Sequence, residues 1–388
     1  MGTNKKHKSL SLIVTPLVGG SYWMHVLQVS PKYFPSVGGV EVLVQKISET
    51  LVENGINVTA YSVDLSRRLP RQQRINRVLI KRFSPMLGDP LFLPEPRFMA
   101  EFIREKVDVI HVHNIHTLPP FLVALTKKKK QKLLLQPHYH RFSQSMLRHS
   151  FFKLYKYALR NTVFPRADLV IANSGFEERT LIEDFPKFKN IILLPEGMDT
   201  NETRRIVRDP VKPNRILYVG ALKRYKNVDK ILEGFSCFLR TGNVESKLII
   251  IGDGPEHKSL VDLAHKLGLD RHVEWKHELS REQLLQEYAK ASVFILLSQL
   301  ESFSRVVYDA LLIRVPVVVY NFGALEDFVR NKLATGVNSL EPQQIANAIL
   351  EASSRIPPEY STGSNTFLEW PEYSKHIINT YHQLLETE

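Results

Sequence analysis

The sequence has almost no cysteine and no long apolar run. Its 388 residues include a single cysteine, Cys237, so no disulfide can form within the chain. No apolar stretch reaches the roughly 20 residues that a membrane-spanning helix needs. The 43% hydrophobic and 24% charged residues are ordinary for a globular protein, and the single cysteine fits a reducing cytosol. The length suits two α/β domains better than one small core.

Acidic residues are scarce only in the first half. Of the chain's 52 basic and 40 acidic residues, residues 1–200 hold 29 and 16, so their net charge is +13; the remainder has 23 and 24, a net charge of −1. The basic excess includes Lys127–Lys130 and the aromatic-rich stretch Arg141–Arg160. This asymmetry favours an anionic partner, such as a phosphorylated or lipid-linked acceptor or a membrane surface. An amphipathic core helix with a solvated basic face is the alternative, and no nucleic-acid module is recognisable.

Short apolar strands alternate with amphipathic helices. We predict strands at His25–Ser30, Asn57–Val63, Val78–Arg82, Asp108–His113, Lys132–Gln136, Asp168–Ala172 and Ile191–Leu194, and a second series at Arg215–Val219, Lys247–Ile251, Val273–Lys276, Ser292–Leu297 and Val315–Tyr320. Predicted helices include Val40–Glu53, Val228–Leu239, Glu256–Leu267, Arg281–Ala289, Ser304–Ile313 and a last one at Phe367–Leu385. The alternation predicts two doubly wound sheets, with ligands outside the carboxyl ends of the strands.

The first strand–helix junction is rich in glycine. The segment Pro35-Ser-Val-Gly-Gly-Val-Glu41 contains Gly38 and Gly39, which allow backbone N–H groups at a helix start to approach an anion. It matches neither G-x-G-x-x-G nor the P-loop, which argues against an NAD site and an ATPase. A plain strand-to-helix turn is the alternative.

Histidines follow two neighbouring strands of the first series. His138 and His140 come after Lys132–Gln136, and His111 and His113 end the strand before it. At the carboxyl end of a parallel strand these side chains are either functional groups or buried structural histidines. No acidic third ligand with metal spacing accompanies them.

Two polar segments follow strands of the second series. Lys223, Arg224 and Lys226 come after its first strand, where cations can neutralise a pyrophosphate or simply be solvated. The Gly-Asp-Gly-Pro turn that begins at Gly252 is either helix punctuation or a ligand-binding loop.

Two acids, Glu301 and Asp309, lie in the strand–loop–helix junction of Ser298–Tyr320. We predict that Ser302 or Ser304 caps the helix. Eight helical residues span about 12 Å, whereas the paired carboxyls of glycosidases lie roughly 5–9.5 Å apart. The spacing therefore disfavours an acid/base pair and is compatible with one long ligand contacted by an acid at each end.

These motifs together resemble those of the retaining glycosyltransferases of family 4. Glu301-Ser-Phe-Ser…Asp309-Ala, followed by Pro316-Val-Val, resembles the family's E-x7-E signature. The likeness covers nearly everything from Met24 onward and includes the Gly38-Gly39 loop, the His138 segment, Asp168–Ser174, Pro195–Asp199, the Lys226 loop, Gly252-Asp-Gly-Pro and the Trp370 helix.

The resemblance implies a GT-B fold, in which two doubly wound Rossmann-like α/β domains face a central cleft. Residues 24–199 would form the acceptor-side domain and residues 200–366 the nucleotide-sugar-binding domain. Residues 367–388 would form a helix that packs back on the first domain. We expect residues 1–23 to be a disordered extension or a wrongly assigned start.

The resemblance also implies roles for individual residues. Glu301 would hold the hydroxyls of the donor sugar, Lys226 would neutralise the leaving phosphate, and His138 would lie near the anomeric carbon. These three are the catalytic candidates. The donor-binding candidates, which supply N–H groups, cations or a ribose-binding carboxylate, are Gly38, Gly39, Arg224, Gly252, Phe303, Ser304, Arg305 and Asp309.

The implied activity is transfer of a hexose-type sugar from a nucleoside-diphosphate sugar to a glycan or lipid-linked acceptor. No metal or cofactor is expected, and the location would be the cytoplasm or the inner face of its membrane. Three residues depart from the family: Asp309 replaces a Glu, Ala221 a phosphate-binding Arg, and Ser304 a Gly. The alternatives are a degenerate member that binds nucleotide sugar or a partner transferase without turnover, a nucleotide-sugar epimerase, and a phosphorylase.

Overall fold

The computed structural model describes residues 24–36, 38–141, 154–209, 215–355 and 367–386. The expectation for residues 1–23 lies outside these ranges, as does most of the basic, aromatic-rich stretch Arg141–Arg160.

An eight-stranded sheet forms the core of the first half. Its strands are β1 (His25–Val29), β2 (Asn57–Val63), β3 (Gln72–Ile75), β4 (Val78–Phe83), β7 (Val109–His113), β8 (Lys132–Gln136), β9 (Leu169–Ala172) and β10 (Ile191–Leu193), in the order β10-β9-β8-β7-β1-β2-β4-β3. All neighbours are parallel except β3 and β4. The segment that follows β4 in the chain forms a small antiparallel pair, β5 (Pro85–Leu87) and β6 (Leu93–Pro94). The apolar strands are buried on both faces, as is typical of a parallel sheet covered by helices.

Helices connect these strands. They are α1 (Gly39–Glu53), α2 (Arg97–Arg104), α3 (Pro119–Thr126) and α4 (Gly175–Asp184). A further helical stretch at residues 154–158 continues into a π-helical turn at Leu159–Val163 and a 3-10 turn at Phe164–Arg166.

A six-stranded parallel sheet forms the second half. It contains β12 (Arg215–Val219), β13 (Lys247–Ile251), β14 (Val273–Lys276), β15 (Val293–Leu296), β16 (Val317–Tyr320) and β17 (Thr335–Val337), in the order β14-β13-β12-β15-β16-β17. Its helices are α5 (Thr200–Arg204), α6 (Val228–Arg240), α7 (His257–Lys266), α8 (Arg281–Lys290), α9 (Arg305–Leu312), α10 (Glu326–Arg330) and α11 (Pro342–Ser354).

The last helix, α12 (Trp370–Glu386), packs against the first half of the chain. Its buried residues Tyr373, Ile377 and Tyr381 belong to the hydrophobic cluster that includes β1 and α1. The Trp370 indole N–H donates to the Thr50 hydroxyl at 3.0 Å. Just before α12, β18 (Leu368–Glu369) pairs with β11 (Gly197–Met198) in the segment that joins the two sheets.

Contacts between the halves also come from Asp327 of α10. Its carboxylate accepts hydrogen bonds from the Phe176 amide at 2.9 Å and from the Arg179 guanidinium at 2.8 Å. Both donors are on α4 of the first half, so these two hydrogen bonds connect α4 to α10 of the second half.

Strand order identifies the ligand-binding edge of each sheet. In the first sheet the order reverses direction between β7 and β1, and in the second between β12 and β15. Ligands of doubly wound sheets bind in the crevice outside the carboxyl ends of the strands at such a switch point. The loops that follow β12 and β15 contain Lys226 and Glu301.

Candidate active site

The candidate site is centred on a Lys–Glu ion pair. The Lys226 ammonium donates to Glu301 Oε1 at 2.5 Å, and each side chain is 13% exposed. Burial lowers the pKa of Lys226, but the Glu301 carboxylate and neighbouring Tyr225 outweigh it, so that this pKa lies above its ordinary value. Lys226 is therefore held as a cation at the edge of the sheet.

Two hydrogen bonds bring the loops of this pair together. The Asn227 side chain, in the left-handed conformation at φ 53°, donates to the Leu297 carbonyl at 2.7 Å. The Gln299 amide donates to the Tyr225 carbonyl at 2.9 Å. These bonds join the segment after β12 to the segment after β15, because both strands end at the same edge of the sheet.

The first domain also reaches this site. Burial raises the pKa of the Tyr225 phenol, and the negative charges of Glu301 and Asp89 add to this effect while Lys226 opposes it. Asp89 follows β5 in the first domain, so a charge of that domain acts on Tyr225, the neighbour of Lys226.

Asp309 is engaged by a cation of its own domain. Its two oxygens accept hydrogen bonds from the Arg281 guanidinium at 2.6 and 2.7 Å, and the residue is 4% exposed. Arg281 also donates to Glu202 at 3.2 Å. Burial lowers the pKa of Arg281, but the bonds to Asp309 and Glu202 outweigh it and the pKa is raised. A ribose would have to share Asp309 with Arg281.

Helix α9 begins between the two acids. Ser304 occupies the N-cap position at φ 71°, and its hydroxyl makes no capping hydrogen bond, so the predicted Ser304 cap is wrong. The left-handed backbone differs from the extended conformation of a capping serine, and the buried Oγ atom has no hydrogen-bond partner among the described residues. Since the side chain does not bond the first N–H groups of α9, they remain suited to an anion.

Phe303 and Arg305 play different parts around this turn. The Phe303 ring is buried and stacks on Tyr308 with 4.5 Å between ring centroids, so only its backbone can face a ligand. Arg305 Nη1 donates to Glu196 Oε2 at 3.2 Å. Glu196 lies in the segment that joins the two sheets, so this ion pair connects the start of α9 to the junction between the domains.

His138 lies in the first domain close to that same carboxylate. Its Nδ1 atom is 3.9 Å from Glu196 Oε1 and 3.4 Å from the Asn173 side-chain nitrogen, whereas its buried Nε2 atom has no hydrogen-bond partner among the residues that the structure describes. Burial lowers the pKa of His138 to about 3 and raises that of Glu196 to about 7, the latter partly offset by Arg305. His138 is therefore neutral at physiological pH.

Glu177 holds the loop that carries His138. One of its oxygens accepts from the Tyr139 amide at 2.5 Å, and the other accepts from the Asn173 amide at 2.8 Å and the Asn173 side chain at 2.9 Å. His138 itself has φ 49°, a conformation that is costly for a residue with a Cβ. The hydrogen bonds that the fully buried Glu177 carboxylate accepts therefore hold the chain around His138 in this conformation.

His111 and His113 lie behind His138 as buried structural groups. His113 Nε2 is 2.8 Å from Gln28 Oε1, and His111 Nδ1 is 2.7 Å from the Tyr381 hydroxyl. Burial lowers the pKa of both imidazoles, that of His111 to about 3. Because Tyr381 lies on α12, the hydrogen bond between its hydroxyl and His111 connects this pair of histidines to α12.

The remaining candidates are spread more widely. Gly38 is the extended N-cap of α1, and a Cβ on Gly39 would meet no atom of the described residues within 4 Å. Gly252 has φ 142°, and a Cβ there would lie 2.0 Å from the Gly220 carbonyl oxygen, so close backbone packing requires this glycine. Arg224 is exposed and lines a separate cavity of about 180 Å³ beside α7. Arg224 is thus not part of the Lys226–Glu301 pair.

Two charged partners were missed from the sequence. In the sequence, Glu196 is recognisable only as part of the segment Pro195–Asp199, and Arg281 only as the first residue of a predicted helix. Each pairs with a residue that was singled out, Arg305 and Asp309 respectively. The only available signal was the presence of a complementary charge on a neighbouring element. Among the residues that the structure describes, no group of three or more His, Cys, Asp or Glu residues could hold a metal ion.

Solved structures with the same two-domain arrangement identify the architecture. Sucrose-phosphate synthase from Thermosynechococcus elongatus superposes with a TM-score of 0.75 at 19% identity, covering 94% of this chain and 100% of that one. Anabaena HepE in complex with UDP-glucose gives a TM-score of 0.71 at 16% identity, with coverages of 93% and 100%. The fold is GT-B, as predicted.

Sequence comparisons define the family. The model described as glycosyltransferase family 4 matches residues 37–202, and that of glycosyl transferases group 1 matches residues 199–358. An uncharacterized glycosyltransferase of Methanocaldococcus jannaschii is 26% identical over 80% of this chain and 84% of its own length. The D-inositol 3-phosphate glycosyltransferase of Acidothermus cellulolyticus is 25% identical, with coverages of 84% and 81%. The chain belongs to the family 4, group 1 type of glycosyltransferases, which confirms the predicted family.

Proposed function

We propose that this glycosyltransferase moves a hexose-type sugar, with retention, from a nucleoside-diphosphate sugar to an acceptor that bears an anionic group. The observation that carries the proposal is the Lys226–Glu301 ion pair at the switch point of the second sheet, next to the start of α9. The complexes of HepE with UDP and UDP-glucose support a nucleotide-sugar donor in this fold.

In this proposal the charges divide between the two ends of the donor. Lys226 and the first N–H groups of α9 stabilise the diphosphate as the bond from the anomeric carbon to phosphate oxygen breaks. Glu301 accepts hydrogen bonds from the sugar hydroxyls and orients the ring. The acceptor oxygen attacks the anomeric carbon on the same face, and its proton passes to the departing phosphate oxygen. No protein nucleophile is needed for this route.

His138 and Arg305 complete the proposed site. Neutral His138 lies near Glu196, and its Nε2 atom, which is buried and has no hydrogen-bond partner in the described part of the chain, is the proposed partner of a sugar hydroxyl. Arg305 stands at the start of α9, where its charge is shared between Glu196 and the diphosphate. Asp309 contributes through its pair with Arg281, and the ribose contacts that pair rather than a lone carboxylate.

The acceptor is proposed from charge and from relatives. The first domain carries the whole positive excess of the chain. The names of two relatives contain an anionic small molecule: D-inositol 3-phosphate glycosyltransferase, and N-acetyl-alpha-D-glucosaminyl L-malate synthase of Bacillus anthracis, which is 20% identical over 79% of this chain and 81% of its own length. A soluble anionic acceptor and a lipid-linked phosphate both fit this charge.

None of the described helices is both long enough and apolar enough to cross a bilayer. We propose that the protein works on the cytoplasmic side and, with a lipid-linked acceptor, at an anionic membrane surface. Flotation with liposomes would then require anionic lipid and weaken as salt is added. Flotation that is absent or insensitive to salt contradicts the membrane part of the proposal.

The test of the proposed activity is a panel of UDP-, GDP- and ADP-sugars, with thermal stabilisation and sugar release measured for each. We expect one donor class to raise the melting temperature and to be hydrolysed slowly without acceptor. Hydrolysis should persist in a metal chelator, because the proposed charge stabilisation comes from Lys226, Arg305 and α9. Stabilisation without hydrolysis or transfer to any anionic acceptor would favour a binding protein instead.

A further inference from the structure

The first domain contains a second polar cavity, separate from the Lys226–Glu301 pair. It has a volume of about 320 Å³ and lies where β1, β2 and β4 end. That volume is within the roughly 300–1,000 Å³ range of small-molecule sites. The charged and polar residues in its lining that matter here are Lys32, Tyr33, Ser62, Asp64 and Arg82.

Arg82 is a buried cation with unused hydrogen-bonding capacity. It is 3% exposed, and its guanidinium donates to the carbonyls of Phe34 at 2.8 Å and Pro70 at 3.2 Å and to the Gln73 side chain at 3.1 Å. Its Nε atom is buried and has no acceptor within the described ranges. No carboxylate of the described residues lies within 4 Å of the guanidinium, although buried charges are normally paired.

Asp64 does not neutralise the cavity fully. Its Oδ1 atom accepts from the Ser66 amide at 3.0 Å and the Ser66 hydroxyl at 2.7 Å, and its Oδ2 atom accepts from the Leu69 amide at 2.9 Å. These bonds commit the carboxylate to the loop after β2. Burial lowers the pKa of Arg82, and the Asp64 charge only partly offsets that effect. Arg82 thus remains undercompensated.

Lys32 adds a second cation to the same wall. Its ammonium lies 5.7 Å from the centre of the Phe92 ring, and within the described ranges no carboxylate is within 4 Å of it. The neighbouring Tyr33 phenol is neutral, since burial raises its pKa to about 12. Two cations therefore face one carboxylate that is already engaged, which leaves a net positive cavity.

We propose that this cavity is an oxyanion subsite that binds the phosphate or carboxylate group of the acceptor, with Lys32 as its accessible cation and Arg82 as its buried one. The assignment of the anion to the acceptor rests on the proposed transferase function. The cavity itself belongs to the first domain, and the anion would enter at the carboxyl edge of the sheet, where its charge replaces the missing counterion of Arg82.

Binding of inorganic phosphate, followed by phosphorus NMR line broadening and by calorimetry at low salt, tests the subsite. Lys32→Gln should weaken phosphate binding by about tenfold or more, the effect of losing one charge-assisted hydrogen bond. Lys106→Gln, which removes the same charge from an exposed site before β7, at the opposite edge of the same sheet, should bind like the wild type. Arg82→Lys keeps the charge but loses the guanidinium fork, so it should weaken binding while melting as a folded protein.

Two further probes identify the source of the anion. Glucose 6-phosphate represents a soluble acceptor, and vesicles with phosphatidic acid represent a lipid phosphate. Dependence on Lys32 for only one of them assigns the subsite to that source. Equal binding to the Lys32→Gln and Lys106→Gln proteins, or no phosphate binding by the wild type, overturns the proposal. Donor hydrolysis by the same proteins is measured separately, because its absence refutes the transferase function without affecting phosphate binding.

Discussion

The Arg281–Asp309 ion pair allows a quantitative prediction. Asp309 is 4% exposed and accepts two hydrogen bonds from Arg281 at 2.6 and 2.7 Å. Arg281→Gln leaves this carboxylate buried beside Tyr288 without a cation, which in a fully buried pair costs about 3–5 kcal/mol. Since the Arg281 side chain is 39% exposed, water screens part of that charge, and we expect a loss of about 2–3 kcal/mol in the free energy of unfolding.

A double-mutant cycle measured by urea denaturation checks this value. Asp309→Asn removes the buried charge itself and should cost about 1–2 kcal/mol. The double variant should be more stable than the sum of the single losses predicts, by about 1–3 kcal/mol. If Arg281→Gln costs less than about 0.5 kcal/mol and the two changes are additive, the pair is not a structural unit. Donor affinity measured on the same proteins then shows whether Asp309 is a direct ribose ligand.

Two further predictions concern stability. Gly252→Ala should destabilise by more than about 2 kcal/mol, because its Cβ would lie 2.0 Å from the Gly220 carbonyl oxygen. Gly268→Ala, with φ 70° and no atom of the described residues within 4 Å of the new Cβ, should cost only about 1 kcal/mol. Similar urea midpoints for the two variants would contradict the steric argument. For Glu196, burial raises the pKa from 4.5 to about 7, so the folded protein keeps a proton that the unfolded chain releases. The stability that this proton contributes is complete below about pH 4.5 and is lost as the pH rises through about 7. Glu196→Gln should flatten that part of the stability profile, and parallel profiles for variant and wild type would show that the carboxyl does not titrate there.

Local patterns were sufficient to predict most of the scaffold. Strands such as Asn57–Val63 and Lys247–Ile251 are buried on both faces. Short runs of this kind are typical of strands in a parallel sheet, so the strands could be predicted from them. The antiparallel strand β3 was missed because its sequence, Gln-Gln-Arg-Ile, lacks an apolar pattern. Its hairpin turn uses Asn76 and Arg77, both with positive φ, instead of the Asn-Gly that usually marks such a turn.

The ends of parallel strands could be predicted to converge, but the pairing of charges could not. Lys226 and Glu301 were both placed at strand ends, and the switch-point topology explains why they meet. Arg305 and Glu196 are 109 residues apart, and no local pattern signals their contact. The left-handed backbone of Ser304 could not be predicted either, because a serine at a helix start ordinarily indicates an extended residue whose side chain caps the helix.

The role of Glu301 in turnover of the donor is the central claim, and its most direct test is the rate of donor hydrolysis by Glu301→Gln. The matched control is Glu233→Gln, which removes a comparable carboxylate, 2.8 Å from Lys230, on α6 of the same domain. We predict that Glu301→Gln lowers kcat/KM by about 100-fold or more while the control matches the wild type. A Glu301→Gln protein that hydrolyses the donor within about threefold of the wild-type rate would contradict the assignment of this site.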